Sequence, residues 1–221
     1  MRKIVVSAFV SLDGVMQAPG GPEEDTSGGF RHGGWTVKLF DEALGASVGE
    51  IFATPFDLLL GRKTYDIFAA HWPRLASETP PAGIDEGEVS LARIFDGATK
   101  HVATHRPETL TWRNSEALGR DVVARLRQLK ERKGPVLLVQ GSSDLIQTLL
   151  ADDLIDEFRL FIFPLVLGKG KRLFGEGTVP GAFRLVESTT SPTGVLVATY
   201  QRAGAVQTGS FALDTPTDAG A

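Results

Sequence analysis

Apolar residues fall in two patterns along this chain: short continuous runs, and longer stretches where they recur every third or fourth position. Val136 to Val139 carries no polar alternation, which predicts a parallel strand covered on both faces. Lys3 to Val10, Phe56 to Leu60, Lys100 to Thr104 and Glu157 to Phe163 read as further strands. The helical period runs through Trp35 to Ala53, with Val37, Phe40, Leu44, Val48, Ile51 and Phe52 on one stripe. Thr64 to Ala70 predicts a helix that stops before Trp72-Pro73. Asp121 to Lys133 turns Val122, Val123, Leu126 and Leu129 inward, and Leu145, Ile146, Leu149 and Leu150 form another apolar stripe. Phe183 to Thr189 and Val195 to Gln201 predict a hairpin around Ser191-Pro-Thr-Gly194. Strands alternating with helices, then a closing hairpin, predict an α/β fold: three layers around a mostly parallel central sheet with an antiparallel C-terminal hairpin.

Between these elements, Met16 to Gly34 is rich in Gly, Pro and acids, and it is longer than most structureless connections. It is expected to act as a lid. Ser77 to Gly87 reads as an exposed loop. From Ala203 to Ala221 the residues are small, polar and aperiodic, so residues 1–202 form the domain and residues 203–221 are expected to be a disordered tail.

Charge and composition narrow the function classes. Net charge is −4 over 221 residues with no basic run, which argues against a nucleic-acid partner. The absence of cysteine excludes disulfides and thiolate metal sites and suits a reducing, cytoplasmic compartment. No window approaches the ~18 apolar residues of a membrane span, and Met1-Arg-Lys-Ile-Val-Val-Ser7 lacks a signal-peptide core. His101 and His105 are spaced i,i+4, but across a strand and a turn and without a carboxylate at metalloprotease spacing. No metal is expected.

The chemistry concentrates at strand-to-helix junctions. In Asp57-Leu-Leu-Leu-Gly-Arg-Lys-Thr-Tyr-Asp66 an apolar strand enters a helix through Gly61. Such a junction gathers unpaired N–H groups and a positive helix end, a geometry that binds phosphate. Arg62, Lys63 and Thr64 add a planar fork, a point charge and a hydroxyl. Gln140-Gly-Ser-Ser143 makes a similar junction, with Ser143 or Asp144 as the expected helix cap. Two junctions in one domain suit a ligand with two or more phosphates. Standard fingerprints are missing: Phe56 stands where a P-loop needs glycine, and Leu173 stands where Gly168-Lys-Gly170 would need a third glycine.

Taken in order and spacing, Ser11-Leu-Asp-Gly14, Leu60-Gly-Arg-Lys-Thr-Tyr65, Gln140-Gly-Ser-Ser143 and Phe163-Pro-Leu-Val-Leu-Gly-Lys-Gly-Lys-Arg-Leu-Phe174 resemble the dihydrofolate-reductase-like superfamily. The branch they are most similar to is the reductase domain of bacterial riboflavin biosynthesis. The resemblance implies NADPH across the strand ends, hydride transfer to a small-molecule substrate, and a homodimer. It places Ala8, Asp13 and Gly14 by the nicotinamide, and Gly61, Arg62, Lys63 and Thr64 by the pyrophosphate and 2′-phosphate. Thr104, His105 and Arg106 fall by the adenosine ribose, and Gly141, Ser142, Ser143, Asp144 and Leu145 under the pyrophosphate. Arg62, Lys63 and Arg106 supply the cations a 2′-phosphate calls for.

Folate reductases carry a carboxylate on the first helix, and Asp41-Glu42 are the candidates for that role here. Acids in a first helical turn also complement the helix dipole, so both readings stand. His32 in the long loop is a further candidate donor, and Asp13 before glycine also suits plain turn chemistry. Lys169, Lys171 and Arg172 either guide a phosphate or coat a solvated loop. The expected activity is NADPH-dependent reduction of a C=N or C=O bond in a small, heterocyclic substrate. Its alternatives are a ribosylaminopyrimidinone reductase of riboflavin synthesis and a nucleotide-binding regulatory protein without catalysis.

Overall fold

A computed structural model describes residues 1–211, so expectations for residues 212–221 of the tail lie outside the described residues. Strands β1 (Ile4–Ser11), β2 (Phe56–Gly61), β3 (Lys100–Ala103), β4 (Ser115–Ala117), β5 (Val136–Gln140), β6 (Glu157–Phe163), β7 (Phe183–Thr190) and β8 (Leu196–Arg202) form one sheet. Its order is β4-β3-β2-β5-β1-β6-β8-β7. Strands β1 to β6 run parallel, while β8 pairs antiparallel with β6 and carries β7 as the edge. The expected mostly parallel sheet with a C-terminal hairpin is therefore the observed one.

Register explains the unpatterned strands. Leu59, Val139, Val6 and Phe158 lie side by side across β2, β5, β1 and β6. They pack under helices α4 (Val122–Glu131) and α5 (Ser143–Ala151), in a core shared with Leu126, Leu129, Ile146 and Leu149. One residue earlier on β2, β5 and β1, Leu58, Leu138 and Val5 point to the other face. There they meet α1 (Glu42–Phe52), α2 (Arg62–Leu75) and α3 (Glu86–Gly97) through Leu44, Ile51, Tyr65 and Phe95. With both faces covered, polar alternation has no place in these strands.

Several elements differ from the sequence expectation. Helix α1 begins at Glu42, because a short 3-10 turn at Val37–Leu39 and an extended Phe40 precede it. Helix α2 continues through Pro73 to Leu75 instead of stopping before Trp72. Proline lacks one helical N–H bond and crowds the carbonyl a turn earlier, but it lies two residues from the helix end, and Trp72 beside it is held by its ring against Phe95 at 4.7 Å between centroids. The Ser77–Gly87 loop gives way at Glu86 to α3, whose Asp85 cap accepts from Glu88 N. Strand β4 has only 3 residues and is defined by pairing with β3. Beyond Arg202 the chain keeps paired contact, with Ala203 N donating to Ala182 O and Ala182 N to Gly204 O.

Lys100 is fully buried, with its ammonium 4.0 Å from the Trp112 ring centroid and donating to Asp96 O and Arg113 O. Burial pushes its pKa down to about 8. The folded state thus releases this proton before the unfolded chain does, so stability is expected to rise as pH climbs from about 8 toward the ordinary lysine range. Lys100→Met should remove that rise in urea melts taken across the interval. An equal rise in both proteins would disprove the assignment.

Candidate functional site

The carboxyl ends of β1, β2, β3 and β5 open onto one cavity of about 1140 Å³. Its floor is built by two helix starts. Helix α1 is capped by Asp41, α3 by Asp85 and α4 by Asp121, each accepting from a backbone N–H of its own first turn. Helices α2 and α5 are different: their caps, Gly61 and Ser142, provide no side-chain bond to the helix they start. Ser142 instead turns its Oγ to accept from Gly61 N at 2.8 Å, tying one uncapped helix start to the other. Residues of both first turns line the same space, where each helix start has orphan amides and a positive end.

Backbone conformation holds this junction close. Gly141 has φ +60° and Ser142 follows in the left-handed region at φ 64°, ψ 53°. A non-glycine residue there costs roughly 1–3 kcal/mol and persists where surrounding structure enforces it. A Cβ on Gly141 would stand 3.3 Å from Cγ2 and Oγ1 of Thr64, and a Cβ on Gly61 would stand 3.3 Å from Ser142 Cβ. The sequence points to both glycines but assigns the cap to Ser143 or Asp144. The cap is Ser142, one or two residues earlier: its carbonyl accepts from Ile146 N, while its hydroxyl serves β2 rather than its own helix.

The cations divide their duties. Arg62 pairs with Asp66 at 2.8 Å and reaches Thr104, Arg106 O and Thr109, which fixes the turn after β3. Lys63 reaches Asp25 and Ser27 in the long loop, and Lys171 donates to Asp25 at 2.8 Å. Asp25 thereby clamps the Met16–Gly34 loop over the cavity, and its hydrogen bonds to the two lysines and Ser27 hold its carboxyl well below the usual range despite burial. Gln17 secures the same loop, donating to Asp25 O and Ser27 O and accepting from Lys171 N. Arg106 lines the cavity, and among the described residues its guanidinium makes no hydrogen bond or ion pair.

Ala8, Gly61, Arg62, Lys63, Thr64, His105, Arg106 and Gly141 through Leu145 all line this space. Other expected residues stand outside it. Thr104 is buried and receives Arg106 N, so it shapes the turn. Asp13 and Gly14 form a turn at the end of β1, where Asp13 accepts from Ser11 Oγ, Leu167 N and Gly168 N. Those bonds bring its pKa down to about 2. Asp41 and Glu42, expected to supply a proton, do not line the cavity. The Asp41 carboxylate caps α1 through Leu44 N and accepts from Thr193 N and Thr193 Oγ1, bonds that bring its pKa down to about 2. It is a joint between α1 and the β7–β8 turn, the helix-start role the sequence also allowed.

Glu24, which neither spacing nor motif singled out, lines the cavity beside Asp25, Asp66 and Asp144, of which Asp25 and Asp66 are taken up by Lys63, Lys171 and Arg62. Its Oε2 accepts from Gly20 N at 2.7 Å and Gly21 N at 3.2 Å. Burial nonetheless pushes its carboxyl above the usual range. Three adjacent acids, Glu23-Glu24-Asp25, sit in a loop of small residues, and only folding places Glu24 and Asp25 on the cavity wall and gives Asp25 its two lysines. Among the described residues no cluster of His, Cys, Asp and Glu has the makings of a metal site. No helix there is long and apolar enough to cross a membrane.

A three-layer sheet of this order, with its cleft at the parallel strand ends, defines a dihydrofolate-reductase-like fold. More particularly, the chain belongs to the RibD C-terminal domain family, whose model matches residues 2–197. It is 26% identical to YyaP of Bacillus subtilis (strain 168) over 199 residues, covering 90% of this chain and 94% of that one. It is 27% identical to YwjB of the same organism over 187 residues, covering 83% and 89%. A diaminohydroxyphosphoribosylaminopyrimidine deaminase/5-amino-6-(5-phosphoribosylamino)uracil reductase from Thermotoga maritima shares the fold with a TM-score of 0.56 at 19% identity. That match covers 91% of this chain and 57% of the Thermotoga chain. Dihydrofolate reductase from Enterococcus faecalis, solved with NADP(H), matches with a TM-score of 0.51 at 13% identity, covering 90% and 96%.

Proposed function

We propose that the protein is an NADPH-dependent reductase acting on a C=N or C=O bond of a small, heterocyclic substrate. The observation that carries this reading is the pair of uncapped helix starts joined by the Gly61–Ser142 bond. A diphosphate fits where two sets of orphan amides converge and where glycine lets backbone approach it. Arg106 is the cation left free for a further phosphate beside them. The family match and the NADP(H)-bound fold relative support the same choice of cofactor.

Bound NADPH supplies the hydride. The protein's own part is to hold the phosphates at α2 and α5, to keep water out with the loop that Asp25 clamps, and to deliver a proton. Glu24 holds that proton in this reading, because it is the cavity carboxyl kept above its ordinary pKa by burial. The protonated form is lost as pH rises through that raised pKa, so turnover should fall on the alkaline side. Glu24→Gln should lower kcat by about 100-fold or more and leave NADPH affinity within a few-fold. Parental kcat in the variant would remove Glu24 from the reaction.

Calorimetric titration with NADPH, followed by NADPH oxidation in the presence of imines, small carbonyls and dihydropterins, tests the whole reading. Absence of binding would overturn it. Binding without turnover on any of these substrates would favour the regulatory alternative. The family match also favours a ribosylaminopyrimidinone reductase, and rescue of a riboflavin auxotroph by this chain would establish that activity.

A further inference from the structure

The cavity is chemically two-sided. Every lysine and arginine on its wall comes from the α2 start (Arg62, Lys63), the turn after β3 (Arg106) or the segment beneath the long loop (Lys171). The opposite end lies between α1, the later turns of α2, and α3, and those elements contribute no lysine or arginine to the wall. It is walled by Val48, Phe52, Phe68, Trp72, Leu91 and Phe95. The aromatic rings support one another: Phe68 lies nearly parallel to Phe95 at 6.0 Å, and Trp72 and Phe52 meet Phe95 edge-on at 4.7 and 5.1 Å. Phe52, Phe68 and Trp72 nevertheless remain only part-buried. A fixed aromatic wall left half-wet has apolar surface to bury against a ligand. The polar side chains at this end include His71, and its Nε2 is 3.7 Å from Glu88 Oε1.

We infer that this compartment takes a flat, uncharged ring system without a phosphate, and so defines the part of the substrate that lies beyond the reacting bond. The inference rests on the reductase reading for the cationic end and deepens it. It separates this chain from the Thermotoga enzyme, whose name specifies a phosphoribosyl substrate. A phosphate here would be desolvated with no cation to pair with, a burial that costs far more than an aromatic wall returns.

The test uses the full chain without cofactor, with 2-naphthol as the ring probe and ribose 5-phosphate as the phosphate probe. Both are followed by quenching of tryptophan fluorescence and by calorimetry. The expected result is saturable 2-naphthol binding that ribose 5-phosphate does not displace. Leu91→Trp and, independently, Val48→Trp fill the compartment and should each weaken 2-naphthol at least 10-fold while melting cooperatively. Displacement of 2-naphthol by ribose 5-phosphate would overturn the inference. So would a 2-naphthol affinity unchanged in whichever filled variant folds. NADPH titration of the parental chain reads the other end separately: failure there strikes the reductase reading, while failure of 2-naphthol strikes only the ring compartment.

Discussion

Gly141→Val is expected to abolish NADPH binding while leaving a folded protein. Gly141 occupies φ +60°, a region that β-branched residues rarely enter, so valine strains the turn before any ligand arrives. Its Cβ would press on Thr64 at 3.3 Å, and Thr64 stands in the first turn of α2. The added bulk therefore drives apart the two helix starts that the Gly61–Ser142 bond draws together, and it projects into the space proposed for a diphosphate. Loss of several amide contacts to a charged group, at about 1.5–3 kcal/mol each, predicts at least a ~100-fold fall in affinity. The core beneath, with Leu58, Leu138 and Val139 each at 2% exposure or less, should keep the melt cooperative. Micromolar NADPH affinity in a well-folded Gly141→Val protein would rule out this floor as the phosphate site.

Arg106→Ala should discriminate between cofactors. Arg62 is engaged by Asp66 and the turn after β3, and Lys63 by Asp25, so neither is spare in the folded protein. Arg106 lines the same cavity, with its guanidinium unbonded among the described residues. One charge-assisted contact to a 2′-phosphate is worth about 1.5–3 kcal/mol, so the alanine variant should bind NADPH about 10-fold or more weakly and leave NADH unchanged. Calorimetry with both cofactors decides it. Equal losses would assign Arg106 a general structural role, and no loss would leave the 2′-phosphate to Arg62 and Lys63. Arg62→Ala is a useful contrast: it should weaken both cofactors, because it also frees the turn that carries His105 and Arg106.

Legibility followed the range of the physics involved. Parallel strands such as Val136 to Val139 were readable because burial on both faces removes polar residues from the run, a local signature of a tertiary fact. The junctions at Gly61 and Gly141 were readable because left-handed turns and close approach select glycine. Helix α3 was not, since Gly87, Ser90 and Gly97 dilute its stripe, and what secures it is Phe95 among Phe52, Phe68 and Trp72. Trp72, expected to mark the end of a helix, both packs on Phe95 and lines the cavity.

Side-chain roles divided along the same line. Asp41 sits at a helix start, where Asp accepts from backbone whatever lies nearby, so a helix-start role needs no knowledge of the fold, whereas the Asp85 cap went unread with the helix it starts. Glu23, Glu24 and Asp25 are adjacent acids in one loop, and no local rule separates them. Sequence by itself determined the layered α/β architecture, the order of the parallel strands' junctions and the two glycine turns, because propensity and burial pattern act on neighbouring residues. Only the tertiary structure decided that Ser142 joins β2 to α5, that Asp25 clamps the loop through Lys63 and Lys171, and that Glu24 faces the cavity. Each of those depends on groups far apart in the chain, whose meeting is settled by the packing of the sheet and its helices.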